Sequence, residues 1–208
     1  MPLPLSKQKT EAEDQAPAME THDFQLLAQY RAGDVDAMAA LIDRHRRALF
    51  GYIVNMSGGQ DGADDVFQEV WLKAIRKLDG YREGNFAGWL MRIARNVVID
   101  RSRYRKPTLS LDQEDPDGRS RGATLADDAP TPGGRLAARD LGARIAVAVA
   151  GLPVEQREVF VMRTQADLPF KEIARIQKVS INTALARMQY ALNKLRPLLQ
   201  ADYAELGN

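Results

Sequence analysis

Apolar residues along most of this chain recur every three to four positions, the period of an α-helix with one buried face. Phe24, Leu27 and either Tyr30 or Arg31 set that rhythm first, with Asp23 read as the cap and Gly33 as the stop. Met38, Leu41, Ile42, His45, Leu49 and Ile53 share the next stripe, which Ser57-Gly58-Gly59 closes. A third stripe places Val66, Val70, Ile75 and Leu78 inside, behind acids in the first turn that complement the helix dipole. Phe86, Trp89, Leu90, Ile93 and Val97 mark a fourth helix. After a long interruption, "RLAARDLGARIAVAVAGLP" is amphipathic, and "PVEQREVFVMRTQ" follows with Pro153 read as its first helical residue. "FKEIARIQKVSINTALARMQYALNKLR" then reads as two short helices joined by a tight turn that has no glycine. On its second helix Ala184, Met188, Ala191 and Leu195 form the core face, Leu185 borders it, and Asn182, Thr183, Ala186, Arg187, Gln189 and Tyr190 point outward. No segment alternates convincingly as a strand would, so the expected fold is all-α.

The interruption divides the chain. Residues 107–134, rich in Pro, Gly, Asp and Ser, lack a sustained apolar period and cannot bury enough surface to offset the entropy of ordering them. They read as a flexible linker, with a short anchored stretch around Leu109 and Leu111, between helical domains at 24–106 and 135–204. Residues 1–23 read as a disordered tail without the apolar core of a secretory signal.

Composition adds exclusions. The 208 residues contain no cysteine, which removes disulfides and thiolate metal sites and fits a reducing compartment. No run approaches the ~18 apolar residues of a membrane span, so no membrane insertion is expected and the cytoplasm is the expected location. The formal net charge of +1 hides a pattern. Arg92, Arg95, Arg101, Arg103, Arg105 and Lys106 face only Asp100 between Phe86 and Lys106. Lys171, Arg175, Lys178, Arg187, Lys194 and Arg196 face only Glu172 between Lys171 and Arg196. The linker between these two basic segments is acidic.

Candidate chemistry follows from that pattern. His22 lies in the tail, and His45, in "DRHRR", is read as a surface histidine with a structural role. No phosphate loop, paired acid and base, or nucleophile set occurs, and the acids of "DDVFQE" read as dipole partners. No cofactor, metal site or enzymatic activity is expected. The strongest signal is "WLMRIARNVVIDRSRYRK", where arginines and Asn96 share one face near Tyr81, Phe86, Trp89 and Tyr104. Aromatics that stack bases beside arginines that hold phosphates are the equipment for gripping single strands. Trp89 taken alone reads as core.

Four stretches together resemble the sigma-70 family of RNA polymerase sigma factors, in the compact extracytoplasmic-function (ECF) group that keeps domains 2 and 4. They are "DDVFQEVWLKAIRKLDGY", "FAGWLMRIARNVVIDRSRYRK", "LPVEQREVFVMR" and "LPFKEIARIQKVSINTALARMQYALNKLR". The resemblance covers roughly Phe24 to Leu199 and implies a division of roles. Asp65, Gln68, Glu69 and Trp71 would dock on core RNA polymerase. Asn85, Phe86, Trp89, Arg92, Arg95, Asn96, Arg101 and Arg103 would recognise and melt the −10 element of promoter DNA, holding one base out of the stack. Lys178, Ser180, Asn182, Thr183, Arg187, Gln189 and Tyr190 would read the −35 element through a helix in the major groove. An anti-sigma factor is the expected regulator. The chain departs from the family where a common lysine has become Leu185, and where Lys178 replaces the turn's usual glycine. Lys178 reads either as a phosphate contact or as a solvated turn lysine. The alternative is a sigma-like decoy that binds an anti-sigma factor instead of DNA.

Overall fold

Caps and breakers set the helix ends. The computed structural model describes residues 22–82, 84–105 and 142–206, and among them every regular element is helical. In chain order these are α1 (22–31), α2 (Val35–Ser57), α3 (Ala63–Lys77), a 3₁₀ turn at Leu78–Gly80, α4 (Phe86–Arg105), α5 (142–150), α6 (Val154–Gln165), α7 (Phe170–Gln177) and α8 (Ile181–Leu206). The Asp34 carboxylate accepts the Asp36 N–H and starts α2. Gly58, at φ 85°, ends it in the left-handed region where glycine has no Cβ penalty. Asn85 Oδ1 accepts the Gly88 N–H at 2.6 Å and starts α4. Pro153 and Pro169 each stand one residue before a helix. Pro153 therefore precedes α6 instead of opening it, and its carbonyl accepts the Arg157 N–H.

The buried faces largely follow the sequence pattern, with Tyr30, Ile42, Trp89 and Met188 only half-buried. Leu41, Leu49, Ile53, Val70, Leu90, Val97, Ala184, Ala191 and Leu195 are all buried. Phe24, however, is exposed, and Leu27 is the buried apolar anchor of α1, with Leu26 and Tyr30 partly buried beside it. Ile75 is 37% exposed because Ala74 takes the inward position at that turn. Asp23 does not cap α1. It lies within the helix and is buried, with Arg44 Nε 3.0 Å from Oδ1 and His45 Nε2 3.0 Å from Oδ2. His45, expected at the surface, is buried by this pairing and by the Phe86 ring 5.4 Å away.

The two halves of the chain also touch. Helix α6 packs along α2, and α7 packs on α4. The apolar residues of both halves form one continuous cluster. The tip of the exposed Gln165 side chain of α6 lies over Gly51, in the space a Cβ there would take. Arg157 of α6 donates to the Asn55 carbonyl of α2 at 3.1 Å and to the Leu152 carbonyl. The expected linker at 107–134 and tail at 1–21 lie outside the described residues, and helical structure begins by residue 22.

The turn between α7 and α8 shows how the chain does without glycine. Lys178 adopts φ 58°, ψ 45°, and its N–H closes onto the α7 carbonyls. A side chain in this region costs about 1–2 kcal/mol. Glycine would remove that cost but add unfolded-chain entropy. Lys178→Gly is therefore expected to stabilise the fold by up to about 1 kcal/mol, read as a higher urea midpoint at unchanged slope.

Candidate nucleic-acid interface

The basic helix α4 is anchored by aromatic packing. Phe86 is 1% exposed and sits among His45, Trp71, Tyr81 and Trp89, with ring centroids 5.4–6.4 Å away. Tyr81 and Trp89 also meet, at 5.0 Å, and the Tyr81 hydroxyl donates to the Gly84 carbonyl. Such clusters combine large apolar burial with favourable ring geometry. Phe86 is thus a support, and the half-buried Trp89 is the aromatic at the edge of the cluster. Asn85 is likewise occupied as the cap of α4.

Further along α4, Arg92, Asn96 and Arg103 are exposed on its outward side. Arg101 turns toward α3, where its Nε and Nη2 bind Glu69 Oε2 at 2.9 and 2.8 Å. Lys73 binds the other oxygen at 2.8 Å. The Lys73 hydrogen bond holds the Glu69 carboxyl below the ordinary carboxylate range, with Arg101 adding to it and partial burial opposing both. Arg95 turns toward the other half of the chain and donates from Nε to Glu158 Oε1 at 2.9 Å.

Helix α3 presents a mixed face. Asp65 and Gln68 are exposed, and beside them Leu72 and Ile75 are 55% and 37% exposed. Trp71 is buried under this face, so it shapes the surface without forming it. The helical wheel had Ile75 inside and passed over Leu72. Their i, i+3 spacing alongside Asp65 and Gln68 is the signal that identifies this face.

In the C-terminal half, Ser180 caps α8: its Oγ accepts the Thr183 N–H at 3.1 Å and lies 2.9 Å from the Thr183 hydroxyl. Asn182, Thr183, Gln189 and Tyr190 are exposed, as is Lys178. Gln189 donates to Asn193 Oδ1 at 3.1 Å. Arg187 is half-buried and donates to Gln177 Oε1 at 2.7 Å. Leu185 is 44% exposed. It stands beside the buried Ala184, at the edge of the core face. Among the described residues, no cluster of three metal-ligating side chains occurs and no helix is long and apolar enough to cross a membrane.

Two helical blocks of this kind match known families. Sigma-70 region 2 matches residues 41–108, and Sigma-70, region 4 matches residues 143–195. EcfG, an ECF RNA polymerase sigma factor of Rhodopseudomonas palustris, is 33% identical over 159 residues, covering 76% of this chain and 82% of EcfG. The chain belongs to the ECF sigma factors of the sigma-70 family. SigW of Bacillus subtilis is 28% identical over 177 residues, covering 84% of this sigma factor and 95% of SigW. A solved structure of CnrH in complex with the cytosolic domain of CnrY superimposes with a TM-score of 0.62 at 27% identity, covering 87% of this chain and 99% of CnrH. RpoE of Bartonella quintana, solved with the anti-sigma factor NepR, shares the fold with a TM-score of 0.60 at 22% identity. In this sigma factor, region 2 holds the α3 face and the polar side of α4, and region 4 holds the Lys178 turn and the start of α8.

The Glu69 cluster has a defined pH signature. Its folded-state pKa lies below the unfolded value, so its stabilisation is present above the ordinary carboxylate range and disappears as pH falls through the depressed value. The carboxylate is a third exposed, which screens the pair. Glu69→Gln should cost no more than about 1 kcal/mol at neutral pH, and the difference in urea midpoint from wild type should close on acidification.

Proposed function

We propose that this sigma factor, in directing promoter-specific initiation by RNA polymerase, divides the work among three surfaces. The α3 face of Asp65, Gln68, Leu72 and Ile75, flanked by Glu69, docks on core polymerase. Trp89, Arg92, Arg95, Asn96 and Arg103 engage the −10 element, with Phe86, Asn85 and the Glu69–Arg101 pair holding their helix in place. Asn182, Thr183, Gln189, Tyr190 and Arg187 read the −35 element, with Lys178 on a phosphate and Ser180 fixing the helix start. The observation that carries this reading is the run of exposed Arg92, Asn96 and Arg103 on α4, within the region 2 match. A decoy would have no use for that run. The protein works in the cytoplasm as a specificity subunit and is not itself an enzyme. Because CnrH and RpoE were solved with CnrY and the anti-sigma factor NepR respectively, we assign this chain an anti-sigma partner as well.

Adding the purified chain to core polymerase should yield promoter-dependent transcripts and open complexes on a genomic promoter pool. Absence of binding to core would overturn the assignment, and binding without open complexes would favour the decoy. Trp89→Ala combined with Asn96→Ala should leave core binding intact while reducing promoter melting, read by permanganate reactivity of unpaired thymines, by about tenfold or more. Leu72→Asp should do the reverse, weakening core binding first.

Leu185 gives a second test on the −35 side. Restoring a cation there, Leu185→Lys, should strengthen duplex binding and steepen its salt dependence by about 0.9 in the slope of log K against log salt. An unchanged slope would mean that position 185 faces away from the phosphates.

A further inference from the structure

Arg187 differs from the other residues assigned to the −35 element in being half-buried. Its Nη1 donates to Gln177 Oε1 at 2.7 Å. Gln177, the last residue of α7, is itself only 7% exposed. Its Nε2 donates to the Glu155 carbonyl at 3.1 Å and to Glu158 Oε2 at 2.7 Å, both on α6. All four residues lie within the region 4 match, so this arrangement is complete without region 2.

The partners fix which way the amide faces. A backbone carbonyl only accepts, so the amide nitrogen must lie on the α6 side. The amide oxygen is then turned toward α8, where Arg187, which has only donors, meets it. A flipped amide would set its oxygen against two acceptors and its nitrogen against a guanidinium. The bond also leaves one edge of that guanidinium unused. Nε and Nη2, which form the fork opposite Nη1, make no hydrogen bond among the described residues. Such a fork of two N–H groups is suited to two acceptors on one base edge. An unsupported arginine must give up rotamer freedom to present the fork, whereas one held at Nη1 has given up part of it beforehand. We propose that Gln177 is a positioning residue for promoter reading: buried between α6 and α8, it holds the Arg187 guanidinium so that the Nε–Nη2 edge meets a base edge of the −35 element. The proposal rests on the assignment of Arg187 to that element made above.

The test uses holoenzyme reconstituted from core polymerase and the full chain. Its template is a promoter recovered from the genomic pool and randomised over the −35 element, with the sequences that form open complexes counted. Arg187→Ala identifies the base pair whose preference depends on the guanidinium. Gln177→Leu keeps an apolar side chain in the buried site and removes both ends of the amide. It should relax the preference at that same base pair about fivefold or more and leave the others within about twofold. The double variant should lose no more discrimination there than Arg187→Ala alone. Gln177→Met, close to glutamine in length, should repeat the result and guards against a packing defect of the branched variant. The salt dependence of binding should match wild type in both Gln177 variants, since no cation is removed. A merely structural role would lower occupancy evenly across the library. Even loss, an unchanged preference, or relaxation at a base pair that Arg187→Ala leaves alone would each overturn the proposal. If Arg187→Ala still relaxes one base pair in those cases, Arg187 stands as a reader and only the role of Gln177 is rejected. If Arg187→Ala relaxes none, the assignment of Arg187 falls and the role of Gln177 with it.

Discussion

A carboxylate buried as deeply as Glu158 must be compensated, because desolvating an unpaired charge costs several kcal/mol. Compensation comes from three directions: a phenol on α2, a guanidinium on α4 and an amide on α7. The phenol is a dependable donor. Burial first, and then the charge of Glu158 beside it, push the Tyr52 hydroxyl well above its ordinary pKa, so its proton stays in place. Gln177 is held in turn, since its amide oxygen accepts Arg187 of α8. The positions of α2, α4, α6 and α7 all answer to this one group.

Within region 2 the reading surface depends on residues that do not read. Phe86 fixes the start of α4 through rings contributed by α2, α3 and the Tyr81 segment, and Asn85 closes the first turn. Arg101 spends its charge on Glu69, which already pairs with Lys73, and so ties the far end of α4 to α3. Residues with the chemistry to meet DNA are thus divided into those whose polar atoms are already satisfied and those left facing solvent. Exposure, not residue type, separates the two sets.

That division explains how far the sequence could be read. Helix ends were legible where their causes are local: Gly58 after α2 and the acids at the start of α3 act on neighbours a few residues away, whereas Asp23, read as a cap, is held by Arg44 and His45 of another helix. The polar side of α4 was legible by periodicity, and so was the apolar face of α8. Ile75 was misplaced because two adjacent positions, Ala74 and Ile75, both border the apolar stripe, and it is the smaller one that is buried. His45 was misplaced because the basic run around it suggested solvent, while its partner Asp23 lies 22 residues earlier on another helix. Lys178 was legible as a glycine site filled by another residue, although its left-handed backbone was not. Contact between the halves was the least legible, because Tyr52 and Glu158 are 106 residues apart and nothing in either local pattern names the other.

The chemistry of that contact bears on whether it can release. A contact made only of apolar side chains would lose its whole burial energy on separation. Here a central part is a carboxylate and a guanidinium, groups that gain hydration when they separate. Exchange of the Glu158 carboxylate for a DNA phosphate would leave Arg95 with an anionic partner of the same hydrogen-bonding type. Water would meanwhile take over the carboxylate. Parting the halves thus trades one set of satisfied bonds for another, while the apolar surface shared by α2 and α6 still has to be exposed. Arg95, the cation that joins the two halves, is also the one assigned to promoter DNA, so the bond to Glu158 and a bond to DNA are competing uses of a single side chain.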